Sequence, residues 1–223
     1  MRGVWLLLVI ACLALGWWLA RPTGNLPTSP RGPTEAASTR TRGSAAASAC
    51  PLPPRVARGD APLQSELTRA MPPFRHADAS LVPLAGFSIE ARVLGSETYR
   101  MDREAAFAPL DLALGWGRMT DDAVLARLQL SQGGRWYRYR WQGDAPIPRE
   151  EIARSSANMH MIPADAQVER ALRAIEPDQR VRIDGWLVQV EASDGWRWRS
   201  SLRRDDQGSG SCEVVYVCAV TRE

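Results

Sequence analysis

The stretch V-R-I-D-G-W-L-V-Q-V-E-A-S-D-G-W-R-W-R-S-S-L (Val181–Leu202), followed after a Gly-rich break by C-E-V-V-Y-V (Cys212–Val217), decides the fold. Val181 and Ile183 alternate with Arg182 and Asp184, the period-two pattern of a strand with one buried face. Gly185 interrupts that pattern, as glycine does where a strand bulges or bends. Leu187, Val188 and Val190 resume it. Asp194-Gly195 is a strong hairpin signal, because a tight turn needs positive φ and glycine supplies it at little cost. The stretch therefore predicts a hairpin and then a third strand, enough to anchor a small β-rich domain.

Working outward toward the N-terminus, Phe87, Ile89, Ala91 and Val93 alternate with Ser88, Glu90 and Arg92 and predict an earlier strand. Residues 109–119, P-L-D-L-A-L-G-W-G-R-M, are too apolar for an ordinary surface loop. Thr120 with Asp121 and Asp122 predicts a helix start, running to about Leu128. Gln129–Gln132 and Arg135–Trp141 read as a hairpin about Gly133-Gly134. Further helices are expected from Pro148 and from Ala164–Asp165, the latter with Val168, Ala171, Leu172 and Ile175 on one face. Ser65–Met71 has the makings of two helical turns, stopped by Pro72-Pro73. These elements predict an α+β fold: a small antiparallel sheet, or a partly open barrel of the OB type, with two to three helices packed on one side.

Ahead of that fold, Val4–Ala20 is an uncharged run of seventeen residues behind Arg2. A bilayer core takes about 20 apolar residues, with a lower limit near 17. Trp17 and Trp18 stand where an interfacial belt would lie. The run predicts a transmembrane anchor over 1–20, with a cleaved signal peptide and a lipoprotein signal at Cys12 as the alternatives. Residues 21–61 are rich in Pro, Ser, Thr, Ala and Gly and nearly without large apolar side chains. They predict a disordered linker, leaving 62–223 as the folded domain. Such a layout suits a single-pass inner-membrane protein with its C-terminal domain in the periplasm. The arginines just beyond the span, Arg21, Arg31, Arg40 and Arg42, lean the other way on the positive-inside count.

All 28 basic residues are arginine. Residues 1–60 hold seven of them against Glu35 and Asp60, whereas 61–223 hold 21 against 23 acids, a net of −2. The basic pI belongs to the N-terminal part, which argues against nucleic acid as a partner of the folded domain.

The blocks G-W-G-R-M-T-D (115–121), S-Q-G-G-R-W-Y (131–137), S-A-N-M-H-M-I-P-A (156–164) and D-G-W-R-W-R-S-S-L-R-R-D-D-Q-G-S-G-S-C-E (194–213) resemble the signature blocks of a family of proteobacterial proteins anchored by one N-terminal span. The resemblance covers roughly Phe87–Val217. It implies a place at the membrane and brings no activity with it.

Four groupings bear on chemistry. His160 and Cys212, with Asn158 or Asp205 as orienting group, have the residue types of a Cys/His nucleophile pair; the bland reading is a structural cysteine and a buried histidine. Two histidines and four cysteines without ligand spacing give a metal site very weak support, and no cofactor is expected. R-W-Y-R-Y-R-W (135–141) places Tyr137, Tyr139 and Trp141 on one strand face and Trp136, Arg138 and Arg140 on the other. That pattern, repeated in Trp196–Arg199, serves single-stranded nucleic acid, glycans and acidic polymers, or else is a core face backed by solvated arginines. Arg203, Arg204 and Asp205 lie in a polar loop that is either a binding loop or a salt-bridged turn.

Cys212 and Cys218 are separated by a strand of about 20 Å, and a disulfide needs Cα atoms about 4.4–6.8 Å apart, so they cannot bridge each other. With Cys12 in the span, Cys50 is left to pair with either one. The sequence taken together predicts a binding or envelope-assembly module without catalysis. Its expected partners are the lipid bilayer through residues 4–20 and an envelope protein or glycan; the alternative is a hydrolase or transferase using Cys212 and His160.

Overall fold

The computed structural model describes residues 50–67, 72–203 and 211–222. The expected anchor and most of the expected linker lie outside them. Among the described residues no helix is long and apolar enough to cross a membrane.

The strands are β1 (Leu63–Ser65), β2 (Phe74–His76), β3 (Ala79–Thr98), β4 (Leu110–Gly115) and the pair β5 (Gln129–Gly133) and β6 (Trp136–Arg140). They continue with β7 (Ser156–Pro163), β8 (Arg180–Ala192), β9 (Arg197–Arg199) and β10 (Glu213–Arg222). Three short helices interrupt them: α1 (Asp122–Leu125), α2 (Arg149–Arg154) and α3 (Ala166–Arg173). The fold is α+β and mostly sheet. The sheet is neither small nor purely antiparallel, because it has eight strands and β7 runs parallel to β10.

Its connectivity follows from one strand. β3 is 20 residues long and pairs with β8 through Ala79–Arg92 and with β4 through Arg92–Thr98. Extra residues at 84 and 94 shift its register and let it turn from one partner to the other. The order β3-β4-β7-β10-β8 therefore returns to β3, so five strands form a closed ring. The predicted parity holds for Phe87, Ile89, Ala91 and Val93, which point inward with Val181, Ile183 and Leu187, whereas Val188 and Val190 bury in a second cluster with Ala79 and Leu81. Leu112, Leu114, Met159, Met161, Val215 and Val217 complete this core, and α3 adds Val168 and Leu172.

Several expectations change. The apolar stretch at 109–119 contains β4, wholly buried. Asn158-Met159-His160-Met161 is itself period two and forms β7, with the methionines inside. In place of the helix expected at Ser65–Met71, Leu63–Ser65 is a strand; Thr68–Met71 lie outside the described residues. The helix from Thr120 is shorter than expected, capped by the Asp121 side chain rather than by threonine. The hairpin turns form where predicted, with positive φ at Gly195, and at Gly134 and Arg135.

Gly185 has a different cause from the one its place in the sequence suggests. The register shifts fall on its partners, at Pro83/Ala85 and Val217/Ala219. Gly185 is needed because a Cβ there would stand 2.1 Å from the Tyr216 carbonyl oxygen. Gly185→Ala should therefore cost about 1–3 kcal/mol by overpacking, or more because the obstacle is backbone. A denaturant midpoint unchanged from wild type would refute this.

The linker boundary also moves. Residues 50–58 form a strap over the outer faces of β3 and β8. Cys50 is disulfide-bonded to Cys218 with Cα atoms 5.3 Å apart. Trp186 Nε1–H donates to the Pro51 carbonyl at 2.8 Å, and Arg182 donates to that of Val56 at 2.9 Å. Val56 is 4% exposed, and its N–H donates to Ser88 Oγ. This segment belongs to the fold rather than to the expected 21–61 linker.

Candidate functional site

The outward residues of β4 and β7 build a buried charged cluster. Inward alternation of Leu110, Leu112 and Leu114 forces Asp111 outward; Met159 and Met161 do the same to Asn158 and His160. Register places Asp111 opposite His160 and Ala113 opposite Asn158. The polar side chains thus meet on one outer face of the ring.

The β5–β6 hairpin covers that face. Its turn residue Arg135 holds φ +69°, unusual for a residue with a Cβ, and the guanidinium has enough partners to justify it. Nη1 donates to Asp111 Oδ1 at 2.7 Å and to the Ala108 carbonyl at 2.9 Å. Nε and Nη2 clasp Asp102 at 2.9 and 2.6 Å. The guanidinium lies 3.9 Å from the Tyr99 ring centroid, and the Arg135 N–H donates to the Tyr99 hydroxyl. Burial alone would lower the Arg135 pKa, but the bond to Asp102 and the charge of Asp111 raise it above its ordinary value.

Asp111 is fully buried and also receives His160 Nδ1 at 2.9 Å and Asn158 Nδ2 at 3.1 Å. A carboxylate only accepts, so the His160 proton sits on Nδ1. Trp198 packs on the imidazole at 4.9 Å between centroids. Gln132 closes the cluster by donating to Asn158 Oδ1 at 2.8 Å. On β6, opposite Gln132, Tyr137 is pushed well above the ordinary tyrosine range by burial, with Ser156 opposing.

An aspartate-oriented histidine is a common acid–base arrangement, and here the polar groups around it are occupied by the protein's own chain. His160 and Asn158 each bind Asp111, so the orienting role the sequence suggested for Asn158 is filled at His160 by Asp111, which sequence reasoning missed together with Arg135 and Asp102. Cys212 precedes β10; its carbonyl accepts from Ser201 N–H, and the β10 residue in register with His160 is Val214. The contacts found at the His160 ring are with Asp111 and Trp198. Asp205 and Arg204 lie outside the described residues. Among the described residues no group of three or more His, Cys, Asp or Glu side chains could hold a metal.

The expected binding residues lie elsewhere. Trp136, Arg138 and Arg140 occupy the exposed face of β6, and Tyr139 and Trp141 pack inward with Leu94 and Leu130, as the strand parity predicts. Arg203 is exposed, with its N–H bonded to Ser201 Oγ. At the other end of β9, the loop after β3 meets the β8–β9 turn: Arg103 binds Asp194 at 2.6 Å and lies 4.6 Å from the Trp196 ring, which stacks on Phe107.

The clasp should be acid-sensitive. Arg135 holds the Asp102 carboxyl below its ordinary range against a smaller opposing effect of burial. A folded-state pKa below the unfolded value gives stability that is present above about pH 4 and lost as pH falls through the folded value. Unfolding midpoints measured from pH 6 downward should decline less steeply in Asp102→Asn than in wild type. Parallel curves would remove Asp102 from the acid response.

No protein-family model, curated protein or solved structure matches this chain.

Proposed function

We propose that this chain is a membrane-anchored binding or assembly module of the bacterial envelope, non-catalytic, with its folded domain in the periplasm. The observation that carries the non-catalytic reading is the Asp111 cluster. Its carboxylate is occupied by Arg135, His160 and Asn158, and the covering hairpin is pinned there by the same bonds. These groups secure a lid, and a reaction site would need them turned toward a substrate.

The closed ring supports reading the fold as a barrel of the OB type. Taken in chain order, its strands run 1-2-3-5-4-1, with the third and fifth parallel and α3 between the third and fourth. Barrels of that type bind along strands 2–3 and the adjoining loops. In this chain the hairpin already covers strands 2–3. The partner surface is then the loop pair joined by Arg103 and Asp194, with Trp196, and the exposed Arg203 beyond β9, which leaves the hairpin's outer residues Trp136, Arg138 and Arg140 for a separate contact. The Cys50–Cys218 bridge favours an oxidising compartment.

Two measurements test this reading. A reporter active only outside the cytoplasm, fused after Glu223, should be active and membrane-bound. The full chain purified from detergent-solubilised membranes should retain a discrete partner that Arg203→Ala weakens and His160→Ala leaves in place. Hydrolysis or group transfer by the wild type, abolished by Cys212→Ser or His160→Ala, would replace the binding reading with the enzymatic one.

A further inference from the structure

We propose that the outer face of the β5–β6 hairpin rests on an anionic lipid surface, Trp136 seated among the headgroups and Arg138 and Arg140 against lipid phosphates. The proposal builds on the membrane-anchored reading and names what one part of the exposed surface touches.

Charge distribution is the first argument. Ala126–Trp141 holds four arginines and no acid, within a 61–223 segment whose net charge is −2. Arg135 is turned inward and engaged by Asp102 and Asp111, and Arg127 donates to the Asp144 carbonyl. Arg138 has only a long 3.4 Å bond to the Gly133 carbonyl. Among the described residues neither Arg138 nor Arg140 has a carboxylate within ion-pair distance, whereas Arg92, Arg103, Arg118, Arg173 and Arg182 all do.

Shape is the second. Register sets Gln129 beside Arg140, Ser131 beside Arg138 and Gly133 beside Trp136, so the face is an open ladder of neutral polar residues, two guanidiniums and one indole. Trp136 is 39% exposed, one of few large apolar side chains so placed. A small molecule or short oligomer is held by concave walls that bury most of it. A bilayer surface provides its own half-space, and an exposed tryptophan flanked by arginines matches the interface between headgroups and acyl chains.

Rigidity is the third. Tyr139 and Trp141, with Leu130, pack the inner face onto the cluster of Met119, Val124, Leu128, Ile147 and Ile152, and the Arg135 clasp fixes the turn, so the row is presented without an ordering cost. The residues between Ala20 and Cys50 number 29; a chain of that length cannot hold the fold further than about 100 Å from an anchoring bilayer.

The test places a photo-crosslinking residue at 136, or at Leu52 as an exposed control on the strap, in the full chain. Each protein is reconstituted in vesicles of phosphatidylcholine alone or mixed with phosphatidylglycerol. Lipid adducts at 136 should rise with phosphatidylglycerol and exceed those at 52. Arg138→Gln and Arg140→Gln should each lower them about fivefold, and added salt should lower them further. Equal yields at the two positions, indifference to phosphatidylglycerol, or adducts at 136 running instead to a protein or glycan would overturn the proposal. If the lipid adduct fails while Arg203→Ala still weakens partner retention, the lipid contact falls and the binding-module reading stands.

Discussion

Asp111→Ala is expected to lower unfolding free energy by about 3–5 kcal/mol, the cost of removing one partner from a buried charged network. Asp111 is 0% exposed and is the shared acceptor for Arg135, His160 and Asn158. Its loss leaves His160 Nδ1 buried without its acceptor. Arg135 keeps Asp102 and the Ala108 carbonyl, which restrains the damage at the hairpin turn. Asp111→Asn preserves shape and one acceptor, so it should cost roughly half as much. Denaturant unfolding of both variants measures this. If the cluster is what holds the hairpin, amide exchange in β5 and β6 should also rise more than in β3. A variant with wild-type stability and unchanged hairpin protection would show that the network contributes nothing net.

Removing the Cys50–Cys218 bridge is the other large effect. The two residues are 168 apart in sequence, so the bond closes almost the whole fold into one loop. Chain-entropy arguments give about 5 kcal/mol for a loop of that size, with real bonds delivering that or less. Cys50→Ser with Cys218→Ser should therefore lower stability by about 3–5 kcal/mol. Wild type under reductant should approach the double variant, while the double variant should ignore reductant. An oxidised wild type that unfolds at the same midpoint with and without reductant would contradict this, as would peptide mapping that joins Cys50 to Cys212. The strap would loosen first, because what then holds it is local: the bonds of Trp186 to Pro51, Arg182 to Val56 and Val56 to Ser88, and the ion pairs of the exposed Arg55 and Arg58 with the buried Asp184 and Glu90.

The site was legible in pieces. Parity alone put Trp136, Arg138 and Arg140 on a solvent face, because strand alternation is a local geometric fact. His160 and Asn158 were recognisable as chemistry-bearing residues. Their partners Asp111, Asp102 and Arg135 were not: they come from β4, the loop before it and a hairpin turn, and only the pairing of β4 with β7 and the folding of the hairpin over them bring them together. A signal existed in Asp111 itself, a lone acid inside the apolar run L-D-L-A-L, which a buried strand tolerates only where a cation waits for it.

By itself, the sequence determined the strand faces, the hairpin turns at Gly195 and Gly134, the capped start of α3 and the exclusion of a Cys212–Cys218 bridge. Each rests on interactions spanning a few residues, so a one-dimensional pattern carries it. Tertiary structure alone decided that β3 pairs along both edges to close the ring, that Cys50 takes Cys218, and that residues 50–58 belong to the domain. It also set the reason for Gly185, since the atom a side chain would strike belongs to Tyr216 on a neighbouring strand. Those outcomes depend on contacts between residues tens to more than a hundred positions apart. Burial and register select them, and neither exists until the chain has folded.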